Sequence, residues 1–170
     1  MSEPILIVEY DPRWPEMYAE EKARIALAVG AVFIAYEHVG STAVPGLGAK
    51  PIIDLMAAVQ KLEDAEASAD MLCGLGYDYI PEFNALIPER RFFRKGSPRS
   101  HHLHVTTTAA DFWKKHILFR DYLRAHPDTA REYYELKVQL AAQYGDDRDG
   151  YTNAKTEFVR GVEQKAAEDS

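Results

Sequence analysis

The sequence predicts an α+β fold, in which a mixed β-sheet flanked by helices is followed by a helical C-terminal part. Three observations lead to this prediction: short strand-like runs recur along the first two thirds of the chain, one of them (51–59) is almost wholly apolar, and the pattern turns helical from Asp111 onward. An apolar run without polar alternation is typical of a strand covered on both faces. With 170 residues, 46% of them hydrophobic, the chain fits a single domain, 1–170, with the sheet in 1–109 and the C-terminal helices in 110–170.

Strands and helices alternate in the first half of the chain. Prolines at positions 12 and 15 open a helix whose apolar residues recur at helical spacing. Acidic residues occupy the first turn of the next helix, which Gly74 and Gly76 end. The predicted elements are a strand at 5–8, a helix at 16–29, strands at 32–39 and 51–59, and a helix at 61–73.

Three further strands precede the helical part of the chain, and they are predicted at 77–80, 91–95 and 101–107. From Asp111 the chain is predicted to be helical in three pieces, broken at Pro127 and Gly150, because proline and glycine are the residues that most often interrupt a helix. These helices are expected to cover the sheet.

Composition narrows the classes of partner. The 20 basic and 27 acidic residues leave a net charge of −7, which argues against a nucleic-acid polymer as partner but allows a small anionic ligand held by a few local cations. No apolar run reaches the roughly 18 residues of a membrane span, and residues 1–4 lack the basic start of a signal peptide. A single cysteine excludes an internal disulfide and a four-thiolate zinc site. We expect a cytoplasmic protein that binds neither membranes nor nucleic-acid polymers.

A glycine, a serine and an aspartate mark a candidate site. Gly40 and Ser41 follow the strand at 32–39, and Asp54 lies within the apolar strand. A Gly-Ser pair lets a phosphate approach the backbone and offers it a hydroxyl. A carboxylate in an apolar strand is costly unless it is paired or binds a cation such as Mg²⁺. The alternative is structural: a tight Gly-Ser turn, with Asp54 capping the neighbouring loop.

Six stretches of the chain resemble the GrpB family, and together they span nearly the whole sequence in the family's order. They are 10–15 (YDPRWP), 36–47 (YEHVGSTAVPGL), 50–54 (KPIID), 102–105 (HLHV), 119–124 (FRDYLR) and 151–155 (YTNAK). GrpB proteins are classed with the nucleotidyltransferases of the DNA polymerase beta type. The resemblance therefore implies a nucleotidyltransferase-like mixed sheet.

The resemblance also implies roles for the matching residues. Gly40 and Ser41 would bind nucleotide phosphates, and Asp54 would be the first of the carboxylates that hold two Mg²⁺ ions for attack on the α-phosphate. The implied activity is transfer of a nucleotidyl group from a nucleoside triphosphate to a small acceptor, with a divalent metal, Mg²⁺ or Mn²⁺, as cofactor. The sequence departs from this pattern at Met56, where the second carboxylate is expected.

That departure favours a second function, a non-catalytic binding module. A site that keeps the phosphate loop but lacks carboxylates is suited to binding a nucleotide or a coenzyme A-related molecule without turnover. The resemblance extends to GrpB-like domains fused to dephospho-coenzyme A kinase. In either function the expected partner is a nucleotide or another phosphate-bearing small molecule.

Two histidines support a third function, a metal-dependent hydrolase. His102 and His104 are two residues apart on a predicted strand and therefore share one face. With Asp54 they could form a two-histidine-one-carboxylate site, His104 being a ligand for Mn²⁺, Fe²⁺ or Zn²⁺, or one of them could act as a general base. The alternatives are hydrogen bonding within the sheet surface, or a strand placed so that His101 and Leu103 form its buried side.

Basic residues provide candidate phosphate contacts. Lys137 and Lys155 lie at the centre of apolar stripes on their predicted helices, where a lysine must extend to solvent or meet an anion. Lys50 precedes the Asp54 strand, and Arg94 belongs to a basic cluster between 90 and 99. We expect these four side chains to neutralise ligand phosphates. A solvated edge strand is the alternative for Arg94.

Overall fold

The computed structural model describes residues 5–169. Residues 1–4 and Ser170 lie outside the described part of the chain, so the prediction that residues 1–4 do not begin a signal peptide falls outside it as well. Five strands form one mixed sheet in the order β1-β2-β5-β4-β3. Their bounds are β1 Ala35–Val39, β2 Ile53–Ala58, β3 Tyr77–Tyr79, β4 Arg91–Lys95 and β5 His101–Thr106. The β2 and β5 strands are parallel, and the other neighbours are antiparallel. The predicted α+β fold with a mixed sheet is confirmed.

Helices cover both faces of this sheet. They are α1 Trp14–Val29, α2 Leu62–Ala67, α3 Ala69–Cys73, α4 Asp111–Ala125, α5 Pro127–Tyr144 and α6 Arg148–Asp169. The first three pack on one face, where Ile25 and Leu72 enter the main core, and α4 packs on the other through Phe112 and Trp113. Within residues 5–169, no helix combines the length and the hydropathy of a membrane span.

The β2 strand is buried on both faces, as its apolar sequence predicts. Because side chains alternate along a strand, Ile53, Leu55 and Ala57 enter the core beneath α1. Met56 and Ala58 enter the smaller core beneath α4. Asp54 shares this second face, and it is the side chain of β2 that keeps some exposure.

Three predicted boundaries differ from the structure. Residues 5–8 form no strand, only a single antiparallel bridge between Val8 and Ala49. The strand predicted at 32–39 begins at Ala35, because a 3₁₀ turn over Gly30–Val32 precedes it. The helix predicted at 61–73 is divided into two helices at Ser68. The buried Ser68 hydroxyl donates to the backbone oxygen of Ala65, and such local side-chain hydrogen bonds compete with regular helix.

The break between the last two helices lies five residues earlier than predicted. Gly145, with φ of 60°, ends α5 in the left-handed region. The carboxylate of Asp147 then accepts a hydrogen bond from the backbone N–H of Gly150 at 3.0 Å, so it caps the start of α6. Gly150 consequently lies in the first turn of α6.

A buried carboxylate connects α1 to the far edge of the sheet. Glu21 on α1 is 0% exposed, and it accepts hydrogen bonds from the Tyr77 hydroxyl at 2.7 Å and from Lys95 Nζ at 2.9 Å. Burial acts to raise the pKa of Glu21, but the Tyr77 and Lys95 hydrogen bonds outweigh it and hold that pKa below its usual value. The carboxylate is therefore ionised and paired, which a charge in this position requires.

We predict that Tyr77→Phe lowers the free energy of unfolding by about 1.5–3 kcal/mol, because it removes a hydrogen bond to a buried charge. The measurement is urea denaturation at neutral pH. Tyr36→Phe is the matched control, since the Tyr36 hydroxyl is also buried but has no hydrogen-bond partner among residues 5–169. Equal stability losses in the two variants would contradict the prediction.

Candidate functional site

A cavity of 380 Å³ lies between the sheet face that carries Asp54 and the C-terminal helices. Eight of the nine residues predicted for the site line it, and they are Gly40, Ser41, Lys50, Asp54, His102, His104, Lys137 and Lys155. Arg94 does not line it. Arg94 is on β4, opposite His102 of β5, and its role as a phosphate contact stays a prediction.

Gly40 allows the loop after β1 to pass against Asp54. Its φ of 75° lies in the left-handed region, and a Cβ atom at this position would be 2.6 Å from Asp54 Oδ2. Both the backbone conformation and the close approach therefore require glycine. Ser41 follows at the start of a 3₁₀ turn over Ser41–Ala43, so its hydroxyl reaches the same cavity.

Both predicted histidines hold the Asp54 carboxylate. Asp54 Oδ1 is 3.2 Å from His104 Nε2 and 3.4 Å from His102 Nδ1. Burial acts to raise the pKa of Asp54, but hydrogen bonds from His102 and His104 outweigh it and lower that pKa. The three side chains bring one potential ligand atom each to within 4.8 Å of one another, so this group could hold a metal ion.

Arg90 determines which nitrogen of His104 carries the proton. The Arg90 guanidinium is 7% exposed, lies over the rings of Phe92 and Phe112, and has its Nη1 atom 3.3 Å from His104 Nδ1. Burial lowers the pKa of His104 to about 4, so the imidazole is neutral at pH 7. Because arginine only donates, Nδ1 is the acceptor and the Nε2–H donates to Asp54.

This tautomer does not suit a metal ligand. A metal-bound histidine coordinates through one nitrogen and donates its other N–H to an acceptor. His104 instead has its Nε2 proton directed at Asp54 and its Nδ1 directed at a donor, Arg90. The contact favours a hydrogen-bonding role for His104, and it leaves Asp54 and His102 as the better candidates for a cation.

The remaining carboxylates of a two-Mg²⁺ site are not in place. Met56, two residues after Asp54 on the same face, is fully buried. Glu37 lies opposite Met56 on β1, but its carboxylate pairs with Arg120 Nη1 at 2.6 Å. Since Mg²⁺ prefers several oxygen ligands, the residues present do not fit a two-Mg²⁺ centre.

Three lysines converge on the cavity from different parts of the chain. Lys137 Nζ on α5 donates to Ser41 Oγ at 2.8 Å and to the Gly48 backbone oxygen at 2.7 Å. Lys50 and Lys155 lie over a single ring, that of Tyr151, with their Nζ atoms 5.1 and 4.7 Å from its centroid. The aromatic face stabilises both cations without neutralising either.

Burial and mutual repulsion make these lysines unusually ready to lose their protons. Lys137 is 2% exposed, and burial, with Lys155 and Lys50 nearby, lowers its pKa to about 7. Burial and Lys155 lower the pKa of Lys50 to about 8. Burial also lowers the pKa of Lys155, which Asp54 partly opposes. The lowered pKa values show that the cavity disfavours the charged form of each lysine.

Sequence reasoning missed several residues that line the cavity. Tyr151 and Tyr133 are two of them, and each lies beneath a lysine. His116 and Glu163 also line the cavity. A signal existed on α6, because 151, 155, 159 and 163 recur every four residues and share one face.

The fold and the site define a class: an α+β protein with a lysine-lined cavity between a mixed sheet and three C-terminal helices. Comparison with models of known protein families identifies the family of this chain. The model of the family described as "GrpB protein" matches residues 4–165. The chain belongs to the GrpB family.

Individual relatives agree with this assignment. The UPF0157 protein YqkA of Bacillus subtilis is 40% identical over 161 residues, covering 94% of this chain and 46% of YqkA. A crystal structure of conserved protein GrpB from Enterococcus faecalis superimposes with a TM-score of 0.88 at 35% identity, covering 96% of this chain and 98% of that one. A dephospho-CoA kinase of Mycolicibacterium paratuberculosis is 27% identical, covering 96% of this chain and 46% of the kinase. The chain thus spans about half the length of these two curated relatives.

We predict that nitrogen-detected NMR at pH 7 shows opposite tautomers for two histidines of the cavity. His104 is expected to carry its proton on Nε2 because Arg90 donates to Nδ1. His116 is expected to carry it on Nδ1, which donates to the Phe112 backbone oxygen at 2.8 Å. An Nδ1–H tautomer at His104 would refute the argument against His104 as a metal ligand.

Lys137 makes stability depend on pH. Its pKa is about 7 in the folded chain and roughly 10.4 unfolded, so above pH 7 the unfolded chain holds the extra proton and stability rises with pH. We expect Lys137 to contribute about 1–2 kcal/mol to a rise in the free energy of unfolding from pH 7.5 to 9. Lys137→Met should lose this contribution and keep the smaller rise that Lys50, with a pKa of about 8, still produces, and the exposed Lys165→Met should retain the whole rise. Urea titrations at both pH values test this; an unchanged rise in Lys137→Met contradicts it.

Proposed function

We propose that this cavity binds a nucleotide or another phosphate-bearing small molecule, with the phosphates on Lys50, Lys137, Lys155 and Ser41. The observation that carries the proposal is the convergence of three lysines, one of them buried and two partly buried, on one cavity. Asp54 is the carboxylate that faces them, and it is already hydrogen-bonded by two histidines. An anionic ligand supplies the missing negative charge.

Electrostatics explains why a phosphate would bind strongly here. Lys50 and Lys137 are desolvated and lie near other cations, and both effects lower their pKa values; burial lowers the pKa of Lys155. A phosphate that enters the cavity reverses both effects, because it pairs with the ammonium groups in a setting with little water to screen them. The attraction between the phosphate and the ammonium groups therefore offsets the unfavourable free energy of burying like charges close together.

The loop after β1 suits the same ligand. Gly40 keeps the backbone free of a Cβ atom beside Asp54, and Ser41 Oγ is within hydrogen-bond distance of Lys137 Nζ. A phosphate oxygen that reaches Lys137 therefore lies close to the serine hydroxyl as well. The resemblance to nucleotidyltransferases assigns this Gly-Ser pair the same task.

Nucleotidyl transfer to a small acceptor is the second candidate function. The observation that favours it is that Asp54 lies within contact distance of the Gly40–Ser41 loop. The resemblance implies this arrangement for a phosphate that binds beside a carboxylate-bound cation. Met56 and the paired Glu37 leave a two-Mg²⁺ centre incomplete, so we place binding first. His104 held between Arg90 and Asp54 also makes the hydrolase alternative weaker than transfer.

The relatives suggest which nucleotides to test first. One relative is named as a dephospho-CoA kinase, so coenzyme A precursors join the nucleoside triphosphates as candidate ligands. The net charge of −7 supports a small anion over a nucleic-acid polymer. Localisation in the cytoplasm, where such ligands are available, remains part of this proposal.

We predict that inorganic pyrophosphate and ATP bind the protein, and that Lys155→Met weakens both by about 10- to 100-fold, since each charge-assisted hydrogen bond contributes roughly 1.5–3 kcal/mol. Isothermal titration calorimetry provides the measurement, with and without Mg²⁺. Lys165→Met, on the same helix but exposed and outside the cavity, is the control and should bind as the wild type does.

Three outcomes discriminate between the functions. Binding without metal supports the binding module, and binding of ATP that requires Mg²⁺ or Mn²⁺ supports the transferase. No binding of either anion by the folded protein, or equal affinity in Lys155→Met, would overturn the proposal.

A further inference from the structure

We infer that the ligand of this cavity is a phosphate ester that carries an amino group, or an equivalent cationic hydrogen-bond donor, at its opposite end, where Glu163 and His116 bind it. This inference rests on the proposed function, because it names the chemistry of the second end of the same ligand. It is carried by the order of side chains along α6 and by the acceptors that they place at the far end of the cavity.

Helix α6 sets the length of the cavity. Lys155, Val159 and Glu163 all line it, and they are spaced four residues apart on one face of the helix. At 1.5 Å of rise per residue, the Cα atoms of Lys155 and Glu163 are about 12 Å apart. Lys155 and Glu163 therefore line one cavity two helical turns apart.

The two ends are electrically distinct. Lys155 makes no ion pair with Glu163 among residues 5–169, and the charges that act on its pKa include Asp54. Glu163 acts on His116: burial lowers the pKa of His116, and the Phe112 hydrogen bond, Asp54 and Glu163 partly restore it. Because the Glu163 carboxylate does not pair with Lys155, it is available to bind a cationic group of the ligand.

His116 adds a second acceptor to the wall of the cavity that Glu163 also lines. Its Nδ1–H donates to the Phe112 backbone oxygen at 2.8 Å, so in the neutral ring Nε2 has a free lone pair. Glu163 accepts only, and its carboxylate has no hydrogen bond within the described part of the chain. Two acceptors without a donor select a ligand group that donates, and an ammonium group donates three times.

The middle of the cavity is apolar. Val159 lies one helical turn from both Lys155 and Glu163, and Phe119 lines the cavity near His116 on α4. A carbon chain or a ring edge between the two polar ends would pack against these side chains. The phosphate of such a ligand would then meet the lysines, its apolar linker would meet Val159 and Phe119, and its amine would meet Glu163.

The test compares two esters that differ only in the terminal group, 6-aminohexyl phosphate and hexyl phosphate. By calorimetry the wild type should bind the amino ester about tenfold more tightly, the equivalent of 1.4 kcal/mol. Glu163→Gln should abolish this preference and leave pyrophosphate binding unchanged, since pyrophosphate reaches the lysine end alone. Glu157→Gln, on an exposed part of α6, is the matched control and should keep the preference.

The outcomes separate this inference from the proposed function. Equal affinity of the wild type for the two esters, with pyrophosphate still bound, overturns the inference alone, as does a preference that survives in Glu163→Gln. Failure of pyrophosphate and both esters to bind the wild type overturns the proposed function and this inference together. A melting temperature for Glu163→Gln equal to that of the wild type shows that the lost preference is not a loss of folding.

Discussion

The Asp54 carboxylate, ionised in the middle of a sheet that is covered on both faces, is the constraint around which the site is arranged. A charge there must be hydrogen-bonded, because the carboxylate is largely removed from water even though it keeps some exposure. His104 and His102 supply donors from the parallel neighbour β5. Gly40 leaves the space that the carboxylate occupies.

Arginines hold the helical part against this sheet and so decide where the lysines lie. Arg120 on α4 donates to Glu37 and to the His38 backbone oxygen at 3.1 Å. Arg124, one turn later, donates to the Ala43 backbone oxygen at 2.9 Å. Both contacts fix α4 to β1 and to the loop that carries Gly40 and Ser41. Because α5 and α6 pack on α4, their lysines are positioned by the same docking.

The cavity thereby concentrates like charges that the folded protein alone does not neutralise. A globular domain tolerates this arrangement when a ligand compensates it, since desolvated lysines without an anion cost free energy. Two lysines over one tyrosine ring, Lys50 and Lys155 over Tyr151, show how the fold partly stabilises the cations while leaving their charge available.

The sequence by itself determined the elements and the identity of the polar groups. The apolar run around Asp54 predicted a strand with two buried faces, and the two-residue spacing of His102 and His104 predicted their shared face, because both depend only on local alternation. Lys137 and Lys155 were recognisable as cations within apolar stripes. Only the tertiary structure decided that these lysines meet at one cavity, that Arg94 stays outside it, and that Arg90 sets the tautomer of His104. Those facts depend on how α4, α5 and α6 dock on the sheet and on which strands are neighbours, and such contacts join residues far apart in the chain that no local pattern relates.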